Sequence, residues 1–184
     1  MTTTDDILAG TGNAYGLVFD VEMHQHVQTL TVLGMDILLN SDGPVSYEIS
    51  TREGSWRDLD MISAASFQQP FRVVASGTTT ESGLVQIHMT DFEDVIISNS
   101  ERRQAFWIAL HGEGLVYKNY DDRIVGSANE IKQKSSSEFD LYYGRAIMHY
   151  PFANPRQDFR EHKGFVGRLW YSLDPPSQSP TVVS

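Results

Sequence analysis

The alternation of apolar and polar residues from Tyr15 to Met23 constrains the fold more than any other feature of the sequence. The apolar residues fall on the odd positions and the even positions are mostly polar: Tyr15, Leu17, Phe19, Val21 and Met23 against Asp20, Glu22 and His24. Successive side chains of a strand point to opposite faces, whereas on a helix these residues would be spread around the whole circumference. The segment is therefore predicted to be a half-buried strand with one apolar and one mostly solvated face, and it needs a second apolar layer to cover it.

Most of the remaining chain supplies such a layer. Val27 to Leu39 predicts a long central strand, with a hairpin at 40–44 leading into a third strand at Val45 to Thr51. Short strands and turns recur from there to Leu173, about nine or ten strands in total, with no helix of normal length. A polar, threonine-rich loop is predicted at Gly77 to Gly83, and a long, charged loop is predicted at Pro151 to Lys163. The sequence therefore predicts an all-β, antiparallel β-sandwich of jelly-roll or Greek-key type, with a closed barrel as the alternative.

Three segments are predicted along the chain. Residues 1–11 form a flexible N-terminal segment, residues 12–173 form the β-sandwich domain, and residues 174–184 form a linker or tail. The last segment contains three prolines and three serines without periodicity, which is typical of an extended linker. We therefore expect the chain to be one piece of a larger modular protein, with Met1 as the start of an excised segment.

Charge and residue usage restrict the possible partners. The 184 residues include 24 acidic and 14 basic ones, which gives a formal charge of -10. Such a chain repels phosphate backbones and anionic lipid surfaces, so neither nucleic acid nor a membrane is an expected partner. The absence of cysteine excludes disulfides and thiolate metal sites. Neither an apolar run long enough to insert into a membrane nor a signal-peptide pattern occurs.

Short motifs in a consistent order resemble a β-rich domain that is repeated in large multidomain proteins of diatoms and other marine algae. The resemblance covers residues 12 to 173 and rests on these motifs: Gly12-Asn13, Phe19-Asp20-Val21, Val45 to Ser50, Gly54-Ser55-Trp56, Gln104-Ala105-Phe106-Trp107, Tyr117, Val125-Gly126-Ser127, Leu141 with Gly144, Tyr150-Pro151-Phe152 and Gly167-Arg168-Leu169-Trp170-Tyr171. It implies a modular β-sandwich that is extracellular or at the cell surface, and it implies no catalytic residues. The chain departs from the family pattern at Gly16-Leu17, where Gly-Asn is usual, and in the charged segment from Pro151 to Lys163.

Aromatic residues beside polar turns are the candidates for ligand binding. Trp56 follows a turn and precedes Arg57 and Asp58, and Tyr120 lies between Asn119 and Asp121. Exposed aromatic faces flanked by polar groups are typical of carbohydrate-binding sandwiches. Trp56, Arg57 and Tyr120 are therefore predicted to bind ligand, although a tryptophan in a small sandwich more often belongs to the core. Trp107, in a nearly continuous apolar strand, is predicted to be buried.

Carboxylates and histidines offer weaker candidates for a metal site. Asp91, Glu93 and Asp94 cluster in a predicted loop, as do Asp121 and Asp122, and calcium prefers such oxygen ligands. No glycine-pinned calcium loop accompanies them, so solvated charges are the alternative interpretation. His24 and His26 have the spacing of a cupin-type metal motif, but the glutamate that such a motif needs is missing.

These observations predict a non-catalytic binding or adhesion module that recognises a glycan or a protein through its loops. No nucleophile elbow and no phosphate-binding glycine loop occurs in the sequence, and no cofactor is predicted apart from the calcium considered above. A structural unit that associates with copies of itself is the main alternative. An enzyme with a cupin-like metal centre is a third.

Overall fold

The computed structural model describes residues 12–58, 71–87, 90–120, 131–149, 159–173 and 181–183. These residues form fifteen strands and a single turn of 3-10 helix at Trp56–Asp58. The strands are β1 (Gly12–Ala14), β2 (Gly16–Met23), β3 (Thr29–Leu39), β4 (Val45–Glu53), β5 (Arg72–Thr79), β6 (Gly83–Ile87), β7 (Val95–Ser98), β8 (Arg103–Leu110), β9 (Leu115–Asn119), β10 (Lys132–Ser135), β11 (Phe139–Tyr142), β12 (Gly144–Ile147), β13 (Phe159–Phe165), β14 (Gly167–Leu173) and β15 (Thr181–Val183).

All strands belong to one nearly closed antiparallel sheet that curves around a common core. Its hydrogen-bonded order is β15-β14-β3-β9-β13-β12-β2-β8-β4-β5. β6 and β7 pair with β3, β1 pairs with β9, and β11 joins β2 to β10. The all-β, antiparallel prediction is confirmed, and the jelly-roll or Greek-key connection stays a prediction.

The alternation in β2 produces the apolar face that the sequence predicts. Leu17, Phe19, Val21 and Met23 are completely buried in the main core. The phenyl ring of Phe19 stacks on those of Phe106 and Phe165, with ring centroids 5.8 and 4.7 Å apart. Phe106 lies directly beside Phe19 on the adjacent strand β8, and Phe165 comes from β13, so these rings pack three strands together in the core.

The opposite face of β2 was predicted to be mostly solvated, and this prediction is wrong. Val18 and Asp20 on that face are 0% exposed. The 3-10 turn at Trp56–Asp58 lies over them, and Val18 packs with Trp56, Trp107 and other apolar residues in a second, smaller cluster. A strand that is covered on both faces is buried regardless of alternation.

β3 is central, as predicted, because β14 lies on one side of it and β6 and β7 lie on the other. The residues of β3 that face the main core change from even-numbered to odd-numbered positions along the strand. Leu30 and Val32 belong to the main core at one end, and Met35, Ile37 and Leu39 belong to it at the other. The pairing with β14 shifts register at Trp170 and Tyr171, opposite this change of parity. A bulge of this kind exchanges the faces of the residues that follow it.

Three predicted loop or tail segments contain strands instead. β5 continues through Gly77 to Thr79, where the sequence predicts a threonine-rich loop. β13 occupies the end of the predicted charged loop from Pro151 to Lys163. β15, within the predicted tail at 174–184, pairs with Leu169 to Tyr171 of β14. Pairing with strands from distant parts of the chain thus places these segments in the sheet.

Candidate functional site

A buried carboxylate anchors the turn that carries Trp56 and Arg57. Asp20 projects from β2 under the turn, where the Ser55 hydroxyl donates to Oδ2 over 2.5 Å and the Trp56 amide donates to Oδ1 over 3.1 Å. Burial raises the pKa of Asp20 from 3.8 to about 6, although both hydrogen bonds and the Arg103 guanidinium at 4.0 Å oppose this rise. The position of the turn therefore depends on a carboxyl group that is costly to ionise.

An ion pair adjoins Asp20 on the same face. The Arg103 guanidinium lies 2.6 Å from the Glu22 carboxylate and 4.5 Å from the ring centre of Tyr142, whose hydroxyl donates to Glu22 over 2.8 Å. Burial, followed by the Glu22 carboxylate, raises the pKa of Tyr142 to about 12. These contacts join the outer faces of β8, β2 and β11 beside the Trp56 turn.

Trp56 does not present an exposed face, contrary to the sequence prediction. Its side chain is 2% exposed and packs with Val18, Ala105, Trp107 and Ile147. The two hydrogen bonds to Asp20 fold the turn back onto the sheet, and the apolar patch on β2, β8 and β12 receives the indole. Trp56 therefore cannot stack on a sugar at the surface. Trp107 is buried, as predicted.

Two guanidinium groups lie against the buried indole. The Arg57 guanidinium is 4.6 Å from the ring centre of Trp56, and that of Arg145 on β12 is 5.1 Å away. Both arginines are half-buried. Arg145 also pairs with Glu161 on β13. Burial, and then the positive charge of Arg57, lowers the pKa of Arg145. The indole thus holds two like charges close together through cation–π contacts.

Tyr143 brings Arg57 and Tyr120 into one neighbourhood, although they are far apart in sequence. Arg57 donates to the Tyr143 carbonyl oxygen over 3.3 Å. The half-buried ring of Tyr120 packs edge-on against the ring of Tyr143, with centroids 5.1 Å apart. We call Arg57, Tyr120, Tyr143 and Arg145 the arginine–tyrosine surface. The structure therefore brings together two of the three predicted ligand-binding residues, beside the third, which is buried.

Tyr143 and Arg145 were not predicted as site residues. The available signal was a single arginine among the otherwise apolar odd positions from Phe139 to Ile147. The structure divides that segment into β11 and β12 at Tyr143, and this break turns the Tyr143 carbonyl toward Arg57.

The predicted acidic metal site is not assembled. Glu93 pairs with Arg72 on β5, and the negative charge of Asp91 acts on Tyr47 of β4, whose pKa is raised mainly by burial. No group of three histidine, cysteine or acidic residues within the described ranges is placed to hold a metal ion. The structure thus gives the calcium hypothesis for Asp91, Glu93 and Asp94 no geometric support, and Asp121 and Asp122 lie outside the described residues.

The two histidines of the cupin-like motif are engaged in other contacts. His24 Nε2 lies 3.2 Å from Oδ1 of Asp140, and its Nδ1 lies 3.1 Å from the Ser137 carbonyl oxygen. The ring of His26 is 5.8 Å from that of His24, centroid to centroid. Both nitrogens of His24 therefore join the β2–β3 turn to β11 and the turn before it.

Two clefts lie along β5. One, of about 410 Å³, is lined by the ends of β4, β5, β7 and β8, including Arg72 and Ile96. The other, of about 490 Å³, lies between the far end of β5 and β6 and includes Thr79 and Glu81. Neither cleft includes a residue of the arginine–tyrosine surface.

Comparison with known proteins gives no further guide to the role of this site. No protein family, no curated protein and no solved structure matches the chain. Among the described residues, no helix is long and apolar enough to cross a membrane. Functional inference therefore rests on the contacts themselves.

Proposed function

We propose that this chain is a non-catalytic binding module that recognises an acidic glycan through the arginine–tyrosine surface. The observation that carries the proposal is the placement of two guanidinium groups over a single indole, 4.6 and 5.1 Å from its centre, with the half-buried ring of Tyr120 close by. The likeness to modular β-sandwich domains noted from the sequence is consistent with this role.

The chemistry of these side chains matches a sugar that bears carboxylate or sulfate groups. A guanidinium presents a planar fork of donors that fits the oxygens of such groups in pairs. A tyrosine ring supplies an apolar face for a sugar ring and a hydroxyl for its polar edge. Because the chain as a whole carries a charge of -10, long-range repulsion of an acidic polymer is overcome only where cations are concentrated. This favours a localised contact.

The same side chains suit binding better than catalysis. Arginine stays protonated at neutral pH and cannot serve as a general base there. Burial, and then Tyr120, raises the pKa of Tyr143, which keeps its phenol neutral. Held charges and an aromatic ring orient a ligand without transferring a proton.

Isothermal titration of the protein with alginate, dextran sulfate and neutral dextran tests the proposal. We expect binding of one or both acidic polymers, no binding of dextran, and affinity that falls as salt is raised. Arg57→Gln and Tyr120→Ala should each weaken binding by about tenfold, which corresponds to 1.4 kcal/mol. Arg72→Ala is the matched control, because it removes a positive charge from an exposed position on β5. Equal weakening in the control, or no binding of either acidic polymer at low salt, would refute the proposal.

A further inference from the structure

The hairpin of β10 and β11 meets β13 and β14 at a seam in the sheet. Within the described residues, no strand pairing joins β10 or β11 to β13 or β14. Two side-chain contacts bridge the seam instead. The Gln133 side-chain amide accepts from the Phe165 N–H over 2.8 Å and donates to the Phe165 carbonyl oxygen over 2.5 Å. At the second bridge, the rings of Phe139 and Tyr171 pack edge-on, with centroids 5.3 Å apart.

A small cavity lies in this seam. Its volume is about 40 Å³, and residues of β10, β11, β13 and β14 line it. Four buried side chains form its apolar part: Phe139, Leu141, Phe165 and Leu169. A space of this size takes about three groups as large as a water molecule or a methylene, whereas an apolar cavity that takes benzene has about 150 Å³. The seam cavity therefore fits a very short aliphatic tail and excludes a ring or a long chain.

Lys134 brings a positive charge to the same cavity. It lies opposite Leu141 in the pairing of β10 with β11, and residues opposite each other in a ladder face the same side of the sheet. Leu141 belongs to the main core, so Lys134 also faces inward, and it lines the seam cavity. In the described part of the chain Lys134 makes no ion pair, whereas Lys132 pairs with Asp140 on the outer side.

The surroundings of Lys134 favour the arrival of an anion. Burial lowers the pKa of its ammonium group, because the apolar seam disfavours the charged form. A carboxylate beside the ammonium would offset this cost, since an opposite charge stabilises the charged form. An inward-facing lysine also protects an edge strand from unwanted pairing, and that role needs no ligand. The cavity beside the charge adds what edge protection does not require, namely space for an apolar tail.

We propose that the seam cavity binds a short-chain aliphatic carboxylate, with the tail among the four apolar side chains and the carboxylate on the Lys134 ammonium. Butyrate matches the volume, because three carbons follow its carboxylate. The seam cavity shares no residue with the arginine–tyrosine surface, so this proposal does not depend on the binding of a glycan there.

Titration with sodium butyrate, followed by two-dimensional NMR of the isotope-labelled protein, tests the proposal. Sodium chloride at equal ionic strength is the reference. We expect saturable shifts of amide signals from β10, β11, β13 and β14. Butanol has the same number of carbons without the charge and should bind at least about tenfold more weakly. Octanoate, whose tail exceeds the cavity, should bind no more tightly than butyrate.

A substitution of the lysine tests its role. Lys134→Met removes the charge but keeps an unbranched side chain, so it should weaken butyrate binding by at least about tenfold. Signals outside the seam should keep their positions, which verifies that the variant folds. Lys118→Met, at an exposed position on β9, is the matched control and should bind butyrate as the wild type does. Arg57→Gln should also leave butyrate binding unchanged, which separates the seam cavity from the arginine–tyrosine surface.

Four results would each overturn the proposal. They are the absence of saturable shifts in the wild type, equal binding of butanol, tighter binding with every added carbon up to octanoate, and unchanged binding of butyrate by Lys134→Met. The last result would leave Lys134 as a protecting charge at the edge of the sheet only.

Discussion

Replacement of Asp20 by asparagine should change how the stability of the protein depends on pH. The pKa of Asp20 rises from 3.8 to about 6 in the folded chain, mainly through burial. At 1.36 kcal/mol for each pH unit, this rise corresponds to a folding cost of about 3 kcal/mol when the group is ionised.

The direction of the effect follows from proton binding. Between pH 3.8 and about 6 the folded protein holds the Asp20 proton more tightly than the unfolded chain does. Stability from this group therefore falls as the pH rises through that window, is highest below 3.8, and is constant above the folded pKa. The Asp20→Asn variant has no ionisable group at this position, so its stability lacks this dependence on pH.

Urea unfolding, followed by tryptophan fluorescence at several pH values, measures the effect. The free energy of unfolding of Asp20→Asn minus that of the wild type should rise by about 2 kcal/mol from pH 4.5 to 7.5. Subtracting the free energy of unfolding of the wild type from that of the variant cancels the contributions of other titrating groups, such as Glu138 and Asp140. Hydrogen bonds and ion pairs with the ionised forms lower their pKa values against the opposing effect of burial, so their contributions are lost as the pH falls.

A second variant tests the causes of the raised pKa of Asp20. Ser55→Ala removes the hydroxyl that donates to Asp20 and opposes the rise of its pKa. The dependence of stability on pH should therefore become steeper in this variant. Parallel stability curves for Asp20→Asn and the wild type from pH 4.5 to 7.5 would show that the carboxyl is not held as described.

Two further substitutions test the packing of the same region. Trp56→Ala should destabilise the fold by about 3–5 kcal/mol, and Trp56→Phe by less, because the indole fills the space between β2, β8 and β12. The midpoint of urea unfolding measures the change. A loss below about 1 kcal/mol for Trp56→Ala would contradict the burial of the indole. Gly144→Ala should destabilise by about 3 kcal/mol or more, because a Cβ at this position would overlap the Val18 carbonyl oxygen and separate β12 from β2. The half-buried Gly112 has nothing near its Cβ position, so Gly112→Ala is the matched control for Gly144→Ala and should leave the midpoint nearly unchanged.

Alternation along strands made the fold class predictable. The period of two in β2 identified Leu17, Phe19, Val21 and Met23 as core residues, and all four are fully buried. The other face of β2 could not be predicted in the same way, because its burial depends on a turn more than 30 residues later in the chain. That turn docks through Asp20, whose polar side chain reads as solvent-facing in the sequence.

The strands that the sequence did not predict pair with partners from distant parts of the chain. Gly77 on β5 adopts a strand conformation opposite Tyr47, whose hydroxyl lies close to the position that a Cβ would take. β13 lies between β12 and β9, which supply hydrogen bonds on both sides. Such support comes from distant parts of the chain and leaves no local signature.

The candidate site was likewise predictable only in part, because it depends on contacts between distant parts of the chain. Arg57 and Tyr120 were identified from their polar turn contexts, but the residue that joins them is Tyr143, at a strand break that the apolar pattern conceals. The exposure of Trp56 was predicted wrongly for a related reason. A tryptophan after a turn is exposed only when the turn points away from the sheet, and here hydrogen bonds to Asp20 fold it inward.

The distance in sequence between β3 and β14 has a consequence for synthesis on the ribosome. β3 ends at Leu39, yet the strand that covers one of its sides ends at Leu173. The nascent chain must therefore hold an apolar, half-paired strand until Leu173 has left the exit tunnel. Closure of such long loops places refolding in the range of milliseconds to seconds rather than microseconds, as stopped-flow fluorescence can measure. A circular permutant that begins with β14 should shorten this exposure during translation and aggregate less in the cell.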